Sequence, residues 1–188
     1  MRADIVPGAI FPDYELPDHT GTKRKLSALQ GQDPMVLMLA RGGYCPNEHL
    51  QHTRLVEMER EIRAGYCRLV TISTDSVLQS LEWRTRLDAR WPFLSDEERL
   101  VQRDLDIVEY TDPHHNAMIP HTVVLEPGLR IYKIYNGYWP FGRPSNEELR
   151  QDLRALSMRY RPDWDLATPG LREAWERGDK SRFWPYRS

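Results

Sequence analysis

Apolar runs of strand length alternate with helical patterns along the first half of the chain. Residues 35–40 are continuously apolar, which predicts a central strand that is buried on both faces. Residues 46–63 repeat apolar positions three and four apart, which predicts an amphipathic helix that ends at Gly65. Residues 67–73 predict a second central strand, and residues 76–90 a second helix. The buried face of that second helix is predicted to consist of Val77, Leu78, Leu81 and Leu87.

The second half of the chain changes from this alternation to hairpins. Residues 122–125 and 129–135 flank a proline-glycine turn and predict an antiparallel pair of strands. A capping box opens residues 145–156, whose leucines predict an amphipathic helix. A smaller hairpin is predicted near the amino terminus, between residues 14–16 and 23–26. Together these elements predict an α/β fold with a mixed central sheet flanked by helices.

The composition of the chain shifts after residue 160. Residues 161–188 carry aromatic side chains among prolines and charges, including Trp164, Trp175 and residues 183–186. We therefore predict a domain over residues 1–160 and a C-terminal extension over residues 161–188. The extension is expected to cover an apolar surface or a dimer interface.

Composition and charge exclude several classes of partner. The 188 residues are 40% hydrophobic, which is enough for one sizeable core. A net charge of −2 and an isoelectric point near 6.3 provide no electrostatic footprint for nucleic acid or an anionic membrane. The opening residues lack a leader pattern, and no run approaches the ~18 apolar residues of a membrane span. We therefore expect a cytoplasmic protein with no nucleic-acid or membrane partner.

Cys45 is the residue best suited to catalysis. It follows the predicted strand at residues 35–40 and comes directly before Pro46, a residue type that favours the first position of a helix. Cys45 is therefore predicted at the N-cap, where unpaired backbone N–H groups and the helix dipole favour the thiolate over the thiol. This makes Cys45 a candidate nucleophile.

Two histidines follow Cys45 at helical spacing. Cys45, His49 and His52 occupy positions i, i+4 and i+7, and are expected on one face of the helix. One interpretation is that His49 assists ionisation of the thiol by proton transfer; the other is that the three side chains bind a metal with a fourth ligand. We retain proton transfer as the role of His49 and expect no metal and no cofactor.

Several motifs, in order and at the right spacing, resemble the AhpC/TSA branch of the peroxiredoxins, within the thioredoxin-fold superfamily. The resemblance extends over residues 6–158. The spelling Arg-Gly-x-x-Cys-Pro at residues 41–46 is similar to that of a divergent peroxiredoxin-like group. The resemblance implies a thioredoxin-like fold with a C-terminal extension. The matching segments are residues 7–18, 45–48, 72–76, 91–96 and 119–125.

The resemblance implies an antioxidant thiol peroxidase. Cys45 would attack a peroxide and become a sulfenic acid, and an external thiol, either thioredoxin-like or of low molecular weight, would reduce it. Glu48 would orient an arginine, for which Arg41 is the nearest candidate in sequence. The alternative for Glu48 is a capping box with Cys45, in which it only ties the start of the helix. The substrate pocket would include Gly42, Gly43, Tyr44, Pro46, Pro120 and His121.

The segment around Cys45 departs from the family pattern, which has a proline where Met38 stands and differs at three further positions. Gly42 stands where typical peroxiredoxins have threonine or serine, so the hydroxyl that would hold the peroxide is missing. Pro120 aligns with the family's distal arginine, so that cation is missing as well. Glu48 occupies the position of the second cysteine in Cys-x-x-Cys motifs, which excludes a disulfide within this motif.

Cys67 is the other cysteine of the chain, and it opens a predicted central strand. There it is expected to act as a small hydrophobic residue rather than as a resolving thiol. Cys45 would then be the single redox centre of a peroxidase, for which a homodimer is the expected assembly. Two alternatives stay open: a one-cysteine protein that exchanges thiols with disulfides, and a degenerate redoxin that binds a partner or ligand in the same pocket.

Overall fold

A computed structural model describes residues 1–183 of the chain. Five strands form the main sheet and two form a small hairpin. The strands are β1 (Glu15–Pro17), β2 (Lys23–Lys25), β3 (Met35–Ala40), β4 (Arg68–Ser73), β5 (Phe93–Ser95), β6 (His121–Glu126) and β7 (Arg130–Asn136). The helices are α1 (Leu26–Gln30), α2 (Pro46–Ala64), α3 (Val77–Leu87), α4 (Leu100–Asp104), α5 (Asn146–Tyr160) and α6 (Leu171–Glu176), with a 3₁₀ turn at Pro162–Trp164.

The main sheet has the strand order β5-β4-β3-β6-β7 and mixes parallel with antiparallel pairs. β3 runs parallel to β4, with Ala40 opposite Ser73. β6 runs antiparallel to β3, with His121 opposite Leu39. The carboxyl ends of β3 and β4 therefore meet the amino end of β6 at one edge of the sheet. Side chains from segments that are far apart in sequence converge there.

The core lies around the central strand. All six residues of β3 are buried, as expected for a strand that is covered on both faces. The largest core cluster joins β3 to residues from the other strands and from the amino-terminal segment, among them Phe11, Ile72, Leu94 and Val123. The predicted mixed α/β fold is confirmed, as are the two hairpins and the bounds of β3.

The predicted buried face of α3 is partly wrong. Leu78 is 63% exposed and Leu81 is 40% exposed, whereas Ser80, Trp83 and Leu87 are buried. The reason is Trp83, whose ring packs edge-to-face on Phe93 with centroids 5.1 Å apart. Burying this large ring turns the two leucines outward, because an aromatic side chain contributes more buried apolar area than either of them.

The chain divides into two compact units, residues 1–149 and residues 150–188. In the second unit, Leu171, Ala174 and Phe183 form a small buried cluster, and Trp175 packs edge-to-face against Phe183. The sequence-based division at residue 160 and the covering role of the extension stay predictions. Residues 184–186, which contributed to that hypothesis, lie outside the described residues. Within residues 1–183, no helix has the length and apolar character to cross a membrane.

Candidate active site

Cys45 lies at the N-cap of α2. Its backbone is extended, with φ −83° and ψ 120°, and Pro46 takes the first helical position. The Cys45 N–H donates to the Gly42 carbonyl at 3.2 Å, which closes a tight turn before the helix. Cys45 is only 4% exposed. Cys45 thus lies at the start of a 19-residue helix, as the sequence predicts, and its side chain accepts no capping hydrogen bond from the first turn.

Glu48 forms a buried ion pair with Arg143. The two side chains approach to 2.7 Å, and Glu48 is 1% exposed while Arg143 is 19% exposed. The Arg143 guanidinium also donates to the Gln51 side chain. The same Glu48 oxygen, Oε1, also accepts the Arg41 backbone N–H at 3.3 Å. Glu48, one helical turn after Cys45, therefore links the backbone of the segment before Cys45 to the Arg143 guanidinium.

The expectation that Glu48 orients the side chain of Arg41 is wrong. The Arg41 guanidinium turns to the loop after α4, where its Nε lies 2.9 Å from Glu109 and its Nη2 lies 3.4 Å from Asp112. The Arg41 guanidinium therefore pairs with the carboxylates of Glu109 and Asp112 instead of that of Glu48. The capping-box alternative is wrong as well, because Glu48 accepts from the N–H of Arg41 and not from that of Cys45.

The Asp75 carboxyl fills the space that a side chain at position 42 would need. Gly42 has φ +123°, and a Cβ there would lie 2.6 Å from Asp75 Oδ1. The other oxygen of Asp75 accepts the Gly43 N–H at 2.9 Å and the Ser73 hydroxyl at 3.1 Å. Burial raises the pKa of Asp75 above its ordinary value. Where the family has a hydroxyl, this chain has a carboxyl supplied by the β4–α3 loop.

Arg143 in turn lies beside Pro120, the position of the missing arginine. The Gly137 N–H donates to the Pro120 carbonyl at 2.9 Å. A Cβ on Gly137 would lie 3.4 Å from that carbonyl oxygen and 3.0 Å from Arg143 Cγ. The positive charge near Pro120 is thus that of Arg143, which lies in the segment between β7 and α5. No local pattern marks Arg143 or Asp75, so inspection of the sequence missed both.

Tyr44 packs against the loop after α4, the same loop with which Arg41 forms ion pairs. Its ring stacks on His115 with centroids 3.6 Å apart, and its hydroxyl donates to Asp112 at 3.2 Å. Asp112 also accepts the backbone N–H groups of His114 and His115. These hydrogen bonds, the one from His114 first, lower the pKa of Asp112 to about 2. These contacts fix the position of the residue directly before Cys45.

The histidines after Cys45 do not share one environment. His49 is exposed, whereas His52 is fully buried. His52 Nδ1 donates to the Glu48 carbonyl at 2.8 Å, since a carbonyl can only accept, and its Nε2 accepts the Thr71 hydroxyl at 3.0 Å. Burial lowers the pKa of His52 to about 4. Within residues 1–183, no cluster of three or more histidine, cysteine or acidic side chains is arranged to hold a metal ion.

The remaining predicted pocket residues lie at the same edge of the sheet. Pro120 and His121 are buried at the start of β6, and His121 Nδ1 donates to the Ile119 carbonyl at 2.9 Å. Burial lowers the pKa of His121. Gly43 packs so closely on Trp83 that a Cβ would lie 2.8 Å from its ring. Pro46 is exposed at the start of α2.

Cys67 lies far from Cys45. The two cysteines flank opposite ends of α2, whose 19 residues span about 28 Å. A disulfide requires Cα atoms within about 7 Å of each other. Cys67 is 4% exposed and its thiol contacts the Gly65 carbonyl at 3.4 Å. The folded chain therefore cannot join Cys67 to Cys45.

Known proteins share this fold and this sequence pattern. A Mycobacterium tuberculosis protein named as a candidate peroxiredoxin is 31% identical over 94 residues, which cover 50% of this chain and 61% of that protein. The crystal structure of peroxidoxin BcpB from M. tuberculosis superposes with a TM-score of 0.69 at 22% identity, over 81% of this chain and 96% of that one.

A second solved structure is the bacterioferritin comigratory protein of Xanthomonas campestris, which is described with alkyl peroxide reduction activity. It superposes with a TM-score of 0.63 at 15% identity, over 79% of this chain and 92% of that one. These superpositions confirm the thioredoxin-like fold. The sequence model of the AhpC/TSA family matches residues 7–134. The chain therefore belongs to the AhpC/TSA family, the peroxiredoxin-like redoxins, a family of thiol-dependent peroxidases.

Proposed function

We propose that this protein is a thiol peroxidase in which Cys45 reduces a peroxide. The observation that carries the proposal is the position of the Cys45 thiol at the N-cap of α2, one turn before the buried pair of Glu48 and Arg143. Backbone N–H groups and the helix dipole favour the thiolate, which is the nucleophilic form. Arg143 adds a positive charge at the same end of the helix.

The proposed reaction transfers one oxygen atom. The thiolate attacks the terminal oxygen of the peroxide, the O–O bond breaks, and Cys45 becomes a sulfenic acid. The departing alkoxide or hydroxide takes up a proton from water and leaves as an alcohol or water. Asp75 stands where the family has a hydroxyl, and its carboxyl can accept a hydrogen bond from the peroxide O–H. Arg143 stabilises negative charge on the departing oxygen.

The cycle is completed by an external thiol, either a small thiol or a thioredoxin-like protein. Support comes from the distance between Cys67 and Cys45, which leaves the chain without an internal resolving thiol.

A cytoplasmic location is part of the proposal, since two cysteines that remain thiols are typical of a reducing compartment. A homodimer is also expected, and light scattering of the purified protein would measure it.

Peroxide consumption tests the proposal. The protein is mixed with hydrogen peroxide or an alkyl hydroperoxide and an excess of thiol, and peroxide loss is followed for the wild type, Cys45→Ser and Cys67→Ser. We expect turnover by the wild type and by Cys67→Ser, and none by Cys45→Ser. Reaction of Cys45 with disulfides but not with peroxides would instead indicate thiol–disulfide exchange, and a thiol that reacts with neither would indicate a binding protein.

A further inference from the structure

The loop between β7 and α5 presents three aromatic side chains to solvent. Tyr138 and Trp139 are more than half exposed, and Phe141 is fully exposed. Together they offer about 450 Å² of largely apolar surface, if one aromatic side chain has an area of about 200 Å². Single apolar residues are ordinary on a protein surface, whereas an apolar patch of several hundred Å² is typical of an interaction site.

The contacts within this loop hold it in one shape. The Asn136 side chain accepts the Tyr138 N–H at 3.0 Å, and the Gly142 N–H donates to the Trp139 carbonyl at 2.9 Å. A Cβ at Gly142 would collide with the Asn136 carbonyl. Phe141 has φ +60°, a left-handed conformation that bulky residues rarely adopt. Because the turn is already built, the aromatic rings lose little conformational entropy when they bind, which favours recognition.

A small notch lies beside this loop. Its volume of about 60 Å³ is about four times the space that one water needs, and it is far below the ~300 Å³ of sites that take small molecules. The notch therefore fits the end of one side chain. Its lining combines three amide side chains with the apolar residues Leu50, Leu55, Pro144 and Leu149 and the arginines Arg54 and Arg143.

This lining is suited to an aromatic side chain. Apolar residues accept the body of a ring, and arginine guanidiniums are attracted to its face. Phe141 stands two residues before Arg143, and its full exposure keeps its ring out of its own notch. A protruding ring and a notch that fits a ring therefore lie side by side on one surface. Such a surface is complementary to itself, as a two-fold symmetric pair requires.

We propose that this surface pairs two copies of the chain, with Phe141 of each copy seated in the notch of the other. The inference rests on the homodimer expected above and assigns its surface. A standard interface buries about 800 Å² on each partner, and the aromatic loop supplies more than half of that area. Arg143 lines the notch and also pairs with Glu48, so each copy covers the exposed side of the cation in the candidate site of the other.

Sedimentation equilibrium measures the Kd of the pair. Phe141→Ser removes the ring, and Leu50→Glu places a charge in the notch. A symmetric pair contains this contact twice, so each variant should raise Kd by about 100-fold, at about tenfold for each contact.

Two matched controls replace exposed residues elsewhere on the surface. Tyr110→Ser removes another highly exposed aromatic ring. Leu100→Glu alters a leucine that is 52% exposed, the same fraction as Leu50. Both controls should keep the Kd of the wild type. Thermal melting of all four variants should stay close to the wild type, because the replaced side chains are exposed.

A mixture of the two surface variants tests the pairing itself. Phe141→Ser keeps an intact notch and Leu50→Glu keeps an intact ring, so one copy of each restores one of the two contacts. Fluorescence anisotropy, with one variant labelled at its amino terminus, measures the mixed pair. Its Kd should be about tenfold above that of the wild type and about tenfold below that of either variant alone.

A wild type that remains monomeric would overturn the inference. So would a dimer whose Kd is unchanged in Phe141→Ser or Leu50→Glu, an equal loss in the two controls, or a mixture that binds no more tightly than the single variants. Peroxide consumption is measured separately. A monomer that consumes peroxide overturns only the pairing surface, whereas a dimer that pairs as described and consumes none overturns only the proposed reaction.

Discussion

The carboxylate of Glu48 and the guanidinium of Arg143 lie 2.7 Å apart, one helical turn beyond Cys45. Arg143 reaches this position from the segment between β7 and α5, and it packs beside Pro120. A cation from another part of the chain therefore lies near Pro120. Together with the Asp75 carboxyl at Gly42, it places a carboxyl and a cation near the two positions where the family pattern has a hydroxyl and an arginine.

Removal of Arg143 should affect both stability and activity. Arg143→Ala leaves the Glu48 carboxylate buried without its charge partner, which should lower the free energy of unfolding by about 3 kcal/mol. The rate of peroxide reduction should fall by about 100-fold if the charge stabilises the departing oxygen. Urea denaturation and stopped-flow oxidation of Cys45 measure the two effects.

Arg24→Ala is the matched control for Arg143, because Arg24 is half exposed in its pair with Asp18. That change should cost less than about 1 kcal/mol and leave the peroxide rate unaltered. Arg143→Lys should recover part of the rate. Wild-type oxidation kinetics in Arg143→Ala would show that this cation has no part in the reaction.

Gly42→Ala should destabilise the protein more than alanine at an ordinary left-handed glycine. Gly42 has φ +123° and its Cβ would meet Asp75 at 2.6 Å, whereas Gly128 has φ +77° and open space around it. We expect a loss of about 1 kcal/mol for Gly128→Ala and about 3 kcal/mol for Gly42→Ala, measured by urea denaturation. In the Asp75→Ala background the excess cost of Gly42→Ala should disappear; if it persists, contact with Asp75 is not its cause.

Stability should depend on pH through His52. Its folded-state pKa, about 4, lies below the ordinary value of 6.5, so the unfolded chain binds this proton first as pH falls. The stabilisation is present above pH 6.5 and is lost toward pH 4, by about 3 kcal/mol in all. Denaturation of the wild type and His52→Gln across that range measures the change. The variant should lack this part of the pH slope, and identical slopes would contradict the assignment.

Arg41 should mainly organise the loop after α4, and its guanidinium, which also interacts electrostatically with Cys45, should contribute less to the reaction than Arg143. Arg41→Ala removes the partner of Glu109 and Asp112, so hydrogen exchange should quicken in residues 109–116. The peroxide rate should fall by less than about tenfold, well below the effect of Arg143→Ala. Arg68→Ala, which breaks a pair with Asp33 at the amino end of β4, is the control and should leave this loop unchanged. A larger rate loss for Arg41→Ala than for Arg143→Ala would reverse the two roles.

Local sequence was enough to predict the elements that present Cys45. The apolar run of β3 and the proline after Cys45 act within a few residues, and both predictions are confirmed. The roles of Arg143 and Asp75 could not be predicted, because both residues reach the site only through the packing of the sheet. Their spacing from Cys45 in the sequence gives no sign of this contact. The exposure of Leu78 and Leu81 could not be predicted for a related reason. The face of α3 that is buried is the one that carries Trp83, and the burial of Trp83 depends on the strand against which it packs.

The central claim is that the Cys45 thiolate takes an oxygen atom from a peroxide. Its most direct test is a single turnover, in which the reduced protein is mixed with one equivalent of hydrogen peroxide and each cysteine is examined by mass spectrometry after trapping with dimedone. We predict one sulfenic acid adduct at Cys45 and none at Cys67. An unmodified Cys45, or a disulfide between Cys45 and Cys67 in the folded protein, would contradict the account.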